Sequence, residues 1–193
     1  MSDDDAPLVA AAVLAAGGSS RFDGGPKQLA LLRGRPLVAH AVEAAVGADV
    51  FAAVFVVTGA VDLTGVLPSG VIVLDNPRWS EGQATSLAVA VHAATVGGFD
   101  AVVVGLADQP FVGAEAWRRV ATEDVGRPVV VATYGGRRGN PVRLEREVWP
   151  LLDREGDEGA RTLMRGRPEL VGEVACPGDA LDIDTVEDLD TWS

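Results

Sequence analysis

Short unbroken apolar runs alternate with amphipathic stretches along the chain, and this alternation predicts its architecture. Runs at 8–15, 51–57, 70–75, 100–106 and 128–134 read as buried strands. Between them, 36–47, 82–96 and 113–123 read as helices; in the second, Leu87 and Val91 with Ala84, Ala88 and Ala94 form a stripe at i, i+3, i+4 spacing. Strands alternating with helices imply an α/β fold, a doubly wound and mostly parallel sheet with right-handed crossovers. Past residue 140 the pattern loosens. There 144–153 and 158–166 read as helices, 170–176 as a strand and 185–192 as a closing helix. No repeat and no long linker divides the chain, so residues 1–193 read as a single domain, with 1–7 an acidic tail without order.

Composition narrows this picture. A chain with 48% hydrophobic residues, much of it Ala and Val, is no disordered polymer and suits close helix–sheet contacts. No apolar run approaches the roughly 20 residues that span a bilayer, so no membrane partner is expected. MSDDDAP lacks a basic region, and the run after it does not read as a signal peptide. A lone cysteine, Cys176, excludes an internal disulfide and a multi-cysteine zinc site, and a cytoplasmic location is expected. The net charge of −12 argues against a nucleic-acid partner. It leaves room for a phosphorylated small molecule, because charges beyond about 8 Å are screened and a local cationic cluster still acts.

Among 16 basic positions only Lys27 is a lysine; the other 15 are arginines. Lysine is a compact point charge on a flexible stem and arginine a planar fork, so the choice matters where one oxygen must be reached. Lys27 ends the stretch LAAGGSSRFDGGPK, directly after the first strand, where a Gly-rich turn lets backbone N–H groups meet phosphate. The stretch is neither a G-x-G-x-x-G dinucleotide loop nor a Walker loop, since Lys27 follows Pro26 and precedes Gln28. Its residue types suit a triphosphate, and they suit a solvated Gly-rich surface loop equally well.

In doubly wound sheets ligands bind outside the carboxyl ends of the strands, at a switch in strand order. Asp108 follows the strand 100–106 in GLADQP, where a carboxylate is a hard-cation ligand or a turn and helix-cap residue. Asp182 and Asp184, two apart on an extended piece, share a direction and offer a second carboxylate that spacing cannot assign to either. The same acids also read as the start of the last helix. His40 and His92 fall within amphipathic helices and read as structural, no serine has a His/Asp partnership, and Trp79 reads as a base-stacking or loop-anchoring ring.

Together LAAGGSSRFDGGPKQLALLRGRPLVAH, VTG, NPRWSEGQATSL, LADQP, RRGNPV, GDEGAR and LDIDTVEDL resemble the MobA-like nucleotidyltransferases, most closely the molybdenum cofactor cytidylyltransferases. The pieces keep the family order from residue 14 to 189. The resemblance implies a Rossmann-like fold of nucleotide-diphospho-sugar transferase type that transfers a nucleotidyl group from a nucleoside triphosphate with Mg2+, or Mn2+, as cofactor. It implies that Ala15, Ala16, Gly17, Gly18 and Ser19 cradle the triphosphate, that Arg21 holds the β- and γ-phosphates, and that Lys27 contacts the α-phosphate. It places Thr58, Gly59, Asn76 and Ser86 around base and ribose, Asp108 and Asp184 on the metal, and Asn140 and Pro141 near the acceptor. Arg21, Lys27 and Asp108 are the catalytic set.

Two departures mark the chain: GNP stands where relatives often read GHP, and Phe22-Asp23-Gly24-Gly25 lengthens the approach to Lys27. The activity implied is CMP transfer from CTP to molybdopterin, a phosphorylated pterin-type acceptor, with a molybdenum hydroxylase as receiver of the product. A guanylyltransferase using GTP, transfer to another phosphorylated small molecule, and a non-catalytic nucleotide-binding or cofactor-delivery protein are the alternatives. The expected assembly is a monomer or weak dimer.

Overall fold

Residues 7–19, 22 and 25–192 are described by the structure, a computed structural model. Arg21 and most of the acidic tail lie outside the described residues. The chain opens with β1 (Val9–Leu14), a hairpin of β2 (Leu31–Leu32) and β3 (Arg35–Pro36), and α1 (Leu37–Gly47). Then come β4 (Ala53–Thr58), β5 (Ile72–Asp75), α2 (Gln83–Val96), β6 (Ala101–Leu106) and α3 (Ala114–Thr122). The last part holds β7 (Val129–Tyr134), β8 (Arg137–Glu145), α4 (Arg161–Gly166), β9 (Val171–Ala175) and α5 (Val186–Trp192).

Seven strands form one sheet in the order β5-β4-β1-β6-β8-β7-β9. All run parallel except β8, which is antiparallel to both β6 and β7. Both faces are covered, which is why β1 is buried along its whole length and reads as a continuous apolar run. Its alternation is still decisive: Ala11 and Val13 pack with Val38, Val42 and Trp117 on the α1/α3 face. Ala10, Ala12 and Leu14 pack with Leu87, Ala90 and Ala94 of α2 on the other face.

The structure corrects the reading of 144–153 as a helix. Residues 137–145 form β8, and only a 3-10 turn, Arg146–Leu151, follows. The strand is masked because its apolar content is confined to Val142 and Leu144, with Arg143 between them turned to the opposite face. There the largely buried Arg143 guanidinium donates from Nη1 to the Ala121 carbonyl at 2.9 Å. Val131 pairs with Val142 but Ala132 pairs with Gly139, so Asn140 and Pro141 form a bulge opposite a single step of β7. A prolyl residue in a strand interior is tolerated at such a bulge, where no ladder hydrogen bond is required of it. The Asn140–Pro141 peptide is cis.

The segment 180–184 is not a strand, but it is firmly held. Ile183 is fully buried beside Leu32 and Leu37, and its N–H donates to the Asp108 carbonyl at 2.9 Å. Burying such a side chain contributes about 1.5–3 kcal/mol, enough to seat the C-terminal acids against the end of β6.

Candidate functional site

After β1 the chain moves to β4 on one side, and it later returns to β6 on the other. The carboxyl ends of β1 and β6 therefore flank the switch point, where a crevice is expected. A cleft of about 460 Å3 lies there, lined by Ala15 to Ser19, Lys27, Ser86, Asp108 and Asp184. Gly82 and Gln83, at the start of α2, also face it, so the positive end of that helix dipole adds to its pull on anions.

At its centre Lys27 Nζ donates to Asp108 Oδ2 at 2.7 Å and to Asp184 Oδ1 at 2.8 Å. These residues come from the loop after β1, the end of β6 and the C-terminal segment, 81 and 157 positions apart. Burial works to lower the Lys27 pKa, but the two carboxylates outweigh it and the net shift is upward from 10.5. The ammonium therefore stays charged at neutral pH.

Among the described residues no three His, Cys, Asp or Glu side chains converge as a ready-made metal cage. A divalent ion here has Asp108 and Asp184 to hold it and takes its other ligands from phosphate and water, as Mg2+ commonly does. Asp108 fits that role. Its Oδ1 is buried and has no hydrogen-bond partner among the described residues, so the carboxylate depends on a cation at its open oxygen, Oδ2, where the Lys27 ammonium now sits.

Asp182 takes a different partner from Asp184. It accepts from Gln109 Nε2 at 2.7 Å and faces a neighbouring cavity of about 610 Å3. Burial pushes its pKa up, and the Asp108 carboxylate adds to the shift. Gln109 also binds the Ala180 carbonyl, and its Oε1 accepts from Asn140 Nδ2 at 3.1 Å, so one carboxamide joins the C-terminal segment to the β8 bulge. Asn140 lines this second cavity with Arg138, Arg161, Met164 and Arg165, while Pro141 does not. The two cavities share Leu14 and Gln83 as a common wall.

Other sequence-based candidates lie beneath the cleft. Asn76 is 1% exposed, and its Nδ2 donates to Thr85 Oγ1 and Ser86 Oγ at 2.9 Å. Its Oδ1 accepts from the Arg78 N–H at 3.0 Å, so its polar atoms tie down the start of α2. Thr58 is buried and receives the Asn76 N–H on its carbonyl, and neither Thr58 nor Gly59 lines the cleft. Trp79 supplies the reason for two glycines: a Cβ on Gly18 or Gly59 would sit 2.6 or 2.7 Å from its side chain. Gly18 thus admits the Trp79 ring as much as any phosphate. His40 bonds the Leu32 carbonyl, consistent with a structural residue. Burial raises the pKa of the Cys176 thiol, which does not line the cleft.

Sequence reading passed over Gln28. It is 6% exposed, its Nε2 donates to the carbonyls of Ala15 and Gly17, and its Oε1 accepts from Ser19 Oγ at 2.9 Å. Ser19 Oγ in turn accepts the Lys27 N–H at 2.9 Å. Ser19 has φ of 54°, a left-handed conformation unusual outside glycine, and this ring of bonds holds it there. Gln28→Ala leaves the buried Ala15 carbonyl and the part-buried Gly17 carbonyl without a donor, a loss of about 1–3 kcal/mol. Hydrogen exchange of residues 15–19 is expected to speed up, with nucleotide KM rising; unchanged exchange would remove Gln28 from this role.

Residues 11–173 match the family model described as the MobA-like NTP transferase domain. The chain is 29% identical to the nicotine blue oxidoreductase of Paenarthrobacter nicotinovorans, over 98% of each chain. Its structure resembles that of a Mycobacterium sp. strain JC1 homolog of Mycobacterium tuberculosis Rv0371c, with TM-score 0.80, 27% identity, and 95% and 93% of the two chains covered. Rv0371c itself, in complex with manganese, matches with TM-score 0.73 at 27% identity over 96% and 97%. A nucleotidyl transferase from Methanothermobacter thermautotroptrophicus matches with TM-score 0.76 at 25% identity over 96% of each chain.

Proposed function

Since the chain belongs to the MobA-like NTP transferase family, we propose that it transfers CMP from CTP to molybdopterin or molybdenum cofactor, releasing pyrophosphate. The observation that carries this reading is the Lys27 ammonium set between Asp108 and Asp184 at the switch point of the sheet. In-line displacement at phosphorus asks for positioning and charge stabilisation, with no covalent nucleophile. A terminal phosphate oxygen of the acceptor forms the new bond to the α-phosphorus. The bond from that phosphorus to the bridging oxygen breaks, and its electron pair leaves with pyrophosphate.

In this reading the backbone from Ala15 to Gly18 and Ser19 cradles the triphosphate, Arg21 holds the departing phosphates, and Lys27 meets the charge developing on the α-phosphate. Asp108 and Asp184 hold Mg2+ or Mn2+, which when bound neutralises phosphate charge as a Lewis acid. Thr58, Gly59, Asn76 and Ser86 shape the base and ribose side, three of them from beneath. The acceptor side is the second cavity, reached from the first across Leu14 and Gln83, with Asn140 and its cis neighbour Pro141 at the bulge. Pyrophosphate release measured with CTP, GTP, ATP and UTP, with and without molybdenum cofactor, tests the proposal. Release is expected with CTP and acceptor together; release with GTP alone among the four moves the chain to the guanylyl alternative.

One observation favours a second reading. The similarity to nicotine blue oxidoreductase runs over 98% of both chains. A redox enzyme or a nucleotide-binding protein that kept the fold would release no pyrophosphate with any nucleotide, and turnover of nicotine blue would then be the activity to measure.

A further inference from the structure

We propose that Lys27 and a divalent cation are alternative occupants of the position between Asp108 and Asp184, so that the lysine gates metal entry and is handed to the phosphates as the metal arrives. The geometry leaves little choice. Lys27 holds Asp108 Oδ2 and Asp184 Oδ1 at 2.7 and 2.8 Å, while the other Asp108 oxygen is buried without exposed surface. The accessible oxygen of Asp108 is therefore the one the ammonium already occupies. A cation bound to it needs the same lone pairs, and two positive charges at that separation repel strongly in a cleft where the Lys27 side chain is only 15% exposed.

Release is built into the residue type. Lysine makes point contacts from a flexible four-carbon stem and pivots away from its partners without breaking a fixed fork. An arginine at position 27 would clamp the carboxylates with several parallel donors and resist displacement. This gives the single lysine in a chain otherwise basic through arginine a physical reason. Its backbone stays anchored, because its N–H is held by Ser19 Oγ at 2.9 Å, so only the side chain moves.

The inference rests on reading Asp108 and Asp184 as metal ligands, but its test uses neither nucleotide nor acceptor. Failure of nucleotidyl transfer with every triphosphate would leave the test intact, and failure of the test would leave a transfer assay unaffected. Mn2+ binding to the full chain is measured by electron paramagnetic resonance for the wild type, Lys27→Met and Lys27→Arg. Lys27→Met is expected to bind Mn2+ at least about tenfold more tightly than the wild type, a change of about 1.4 kcal/mol. Lys27→Arg, which keeps the charge, is expected to bind it more weakly. Equal or weaker binding by Lys27→Met, or tighter binding by Lys27→Arg, overturns the proposal.

A second readout needs no variant. With one lysine in the chain, 13C-lysine labelling gives a single ε-methylene signal. Titration with Mg2+ is expected to shift that signal along the binding curve. A signal that stays fixed through saturation overturns the exchange.

Discussion

Lys27→Ala is expected to lower kcat for nucleotidyl transfer by roughly 10²- to 10³-fold while raising nucleotide KM by less than about tenfold. The asymmetry follows from where charge develops. In the proposed reading the ground-state triphosphate is held by the loop backbone, which the substitution leaves in place, since the Lys27 N–H and not its side chain bonds Ser19. In the same reading, the negative charge that grows on the α-phosphate oxygens during displacement is what the Lys27 ammonium meets. Binding lost equally in ground and transition states would instead appear as raised KM with kcat preserved. Steady-state kinetics at saturating Mg2+ decides, and an unchanged kcat removes Lys27 from the transition state. Combined with tighter Mn2+ binding in the absence of nucleotide, the variant has a signature that simple loss of folding cannot imitate.

Asp108→Asn is expected to abolish metal-dependent turnover, with a loss of about 10³-fold or more at ordinary Mg2+. The amide keeps the shape of the side chain but removes the charge. The fold should survive, because the C-terminal segment is docked through the Asp108 backbone carbonyl to Ile183 N–H at 2.9 Å, which the change does not touch. Lys27 also retains Asp184. Turnover titrated with Mg2+ and Mn2+, beside thermal melting, separates the two effects. Activity near wild type at ordinary Mg2+ would take Asp108 out of the metal site.

The strands β1, β4, β6 and β7 were legible because burial on both faces writes an unbroken apolar run into the sequence. β8 was not, since its interior position carries Arg143 and its middle carries the Asn140–Pro141 bulge, both of which imitate loop or helix-end composition. Lys27, Asp108 and Asp184 could be singled out by charge, position after strands and family resemblance. Their meeting depends on three distant segments closing together, which no local pattern records. Spacing left Asp182 and Asp184 equivalent; burial of Ile183 between them sends one acid to Lys27 and the other to Gln109. Gln28 and Gln109 were invisible for a related reason. A carboxamide carries no charge and obeys no period, so its role appears only once the carbonyls and hydroxyls it bridges have been brought together. Asn76 shows the converse: a residue type suited to reading a base is consumed by the start of α2.

The most direct test follows the α-phosphorus. CTP labelled with 32P at the α-position is incubated with the protein, Mg2+ and molybdenum cofactor, and the pterin product is separated and weighed by mass spectrometry. The account predicts label in a product heavier by one CMP unit, in step with pyrophosphate, and none with Asp108→Asn. Label remaining in CTP, with no pterin product from any of the four triphosphates, would contradict it.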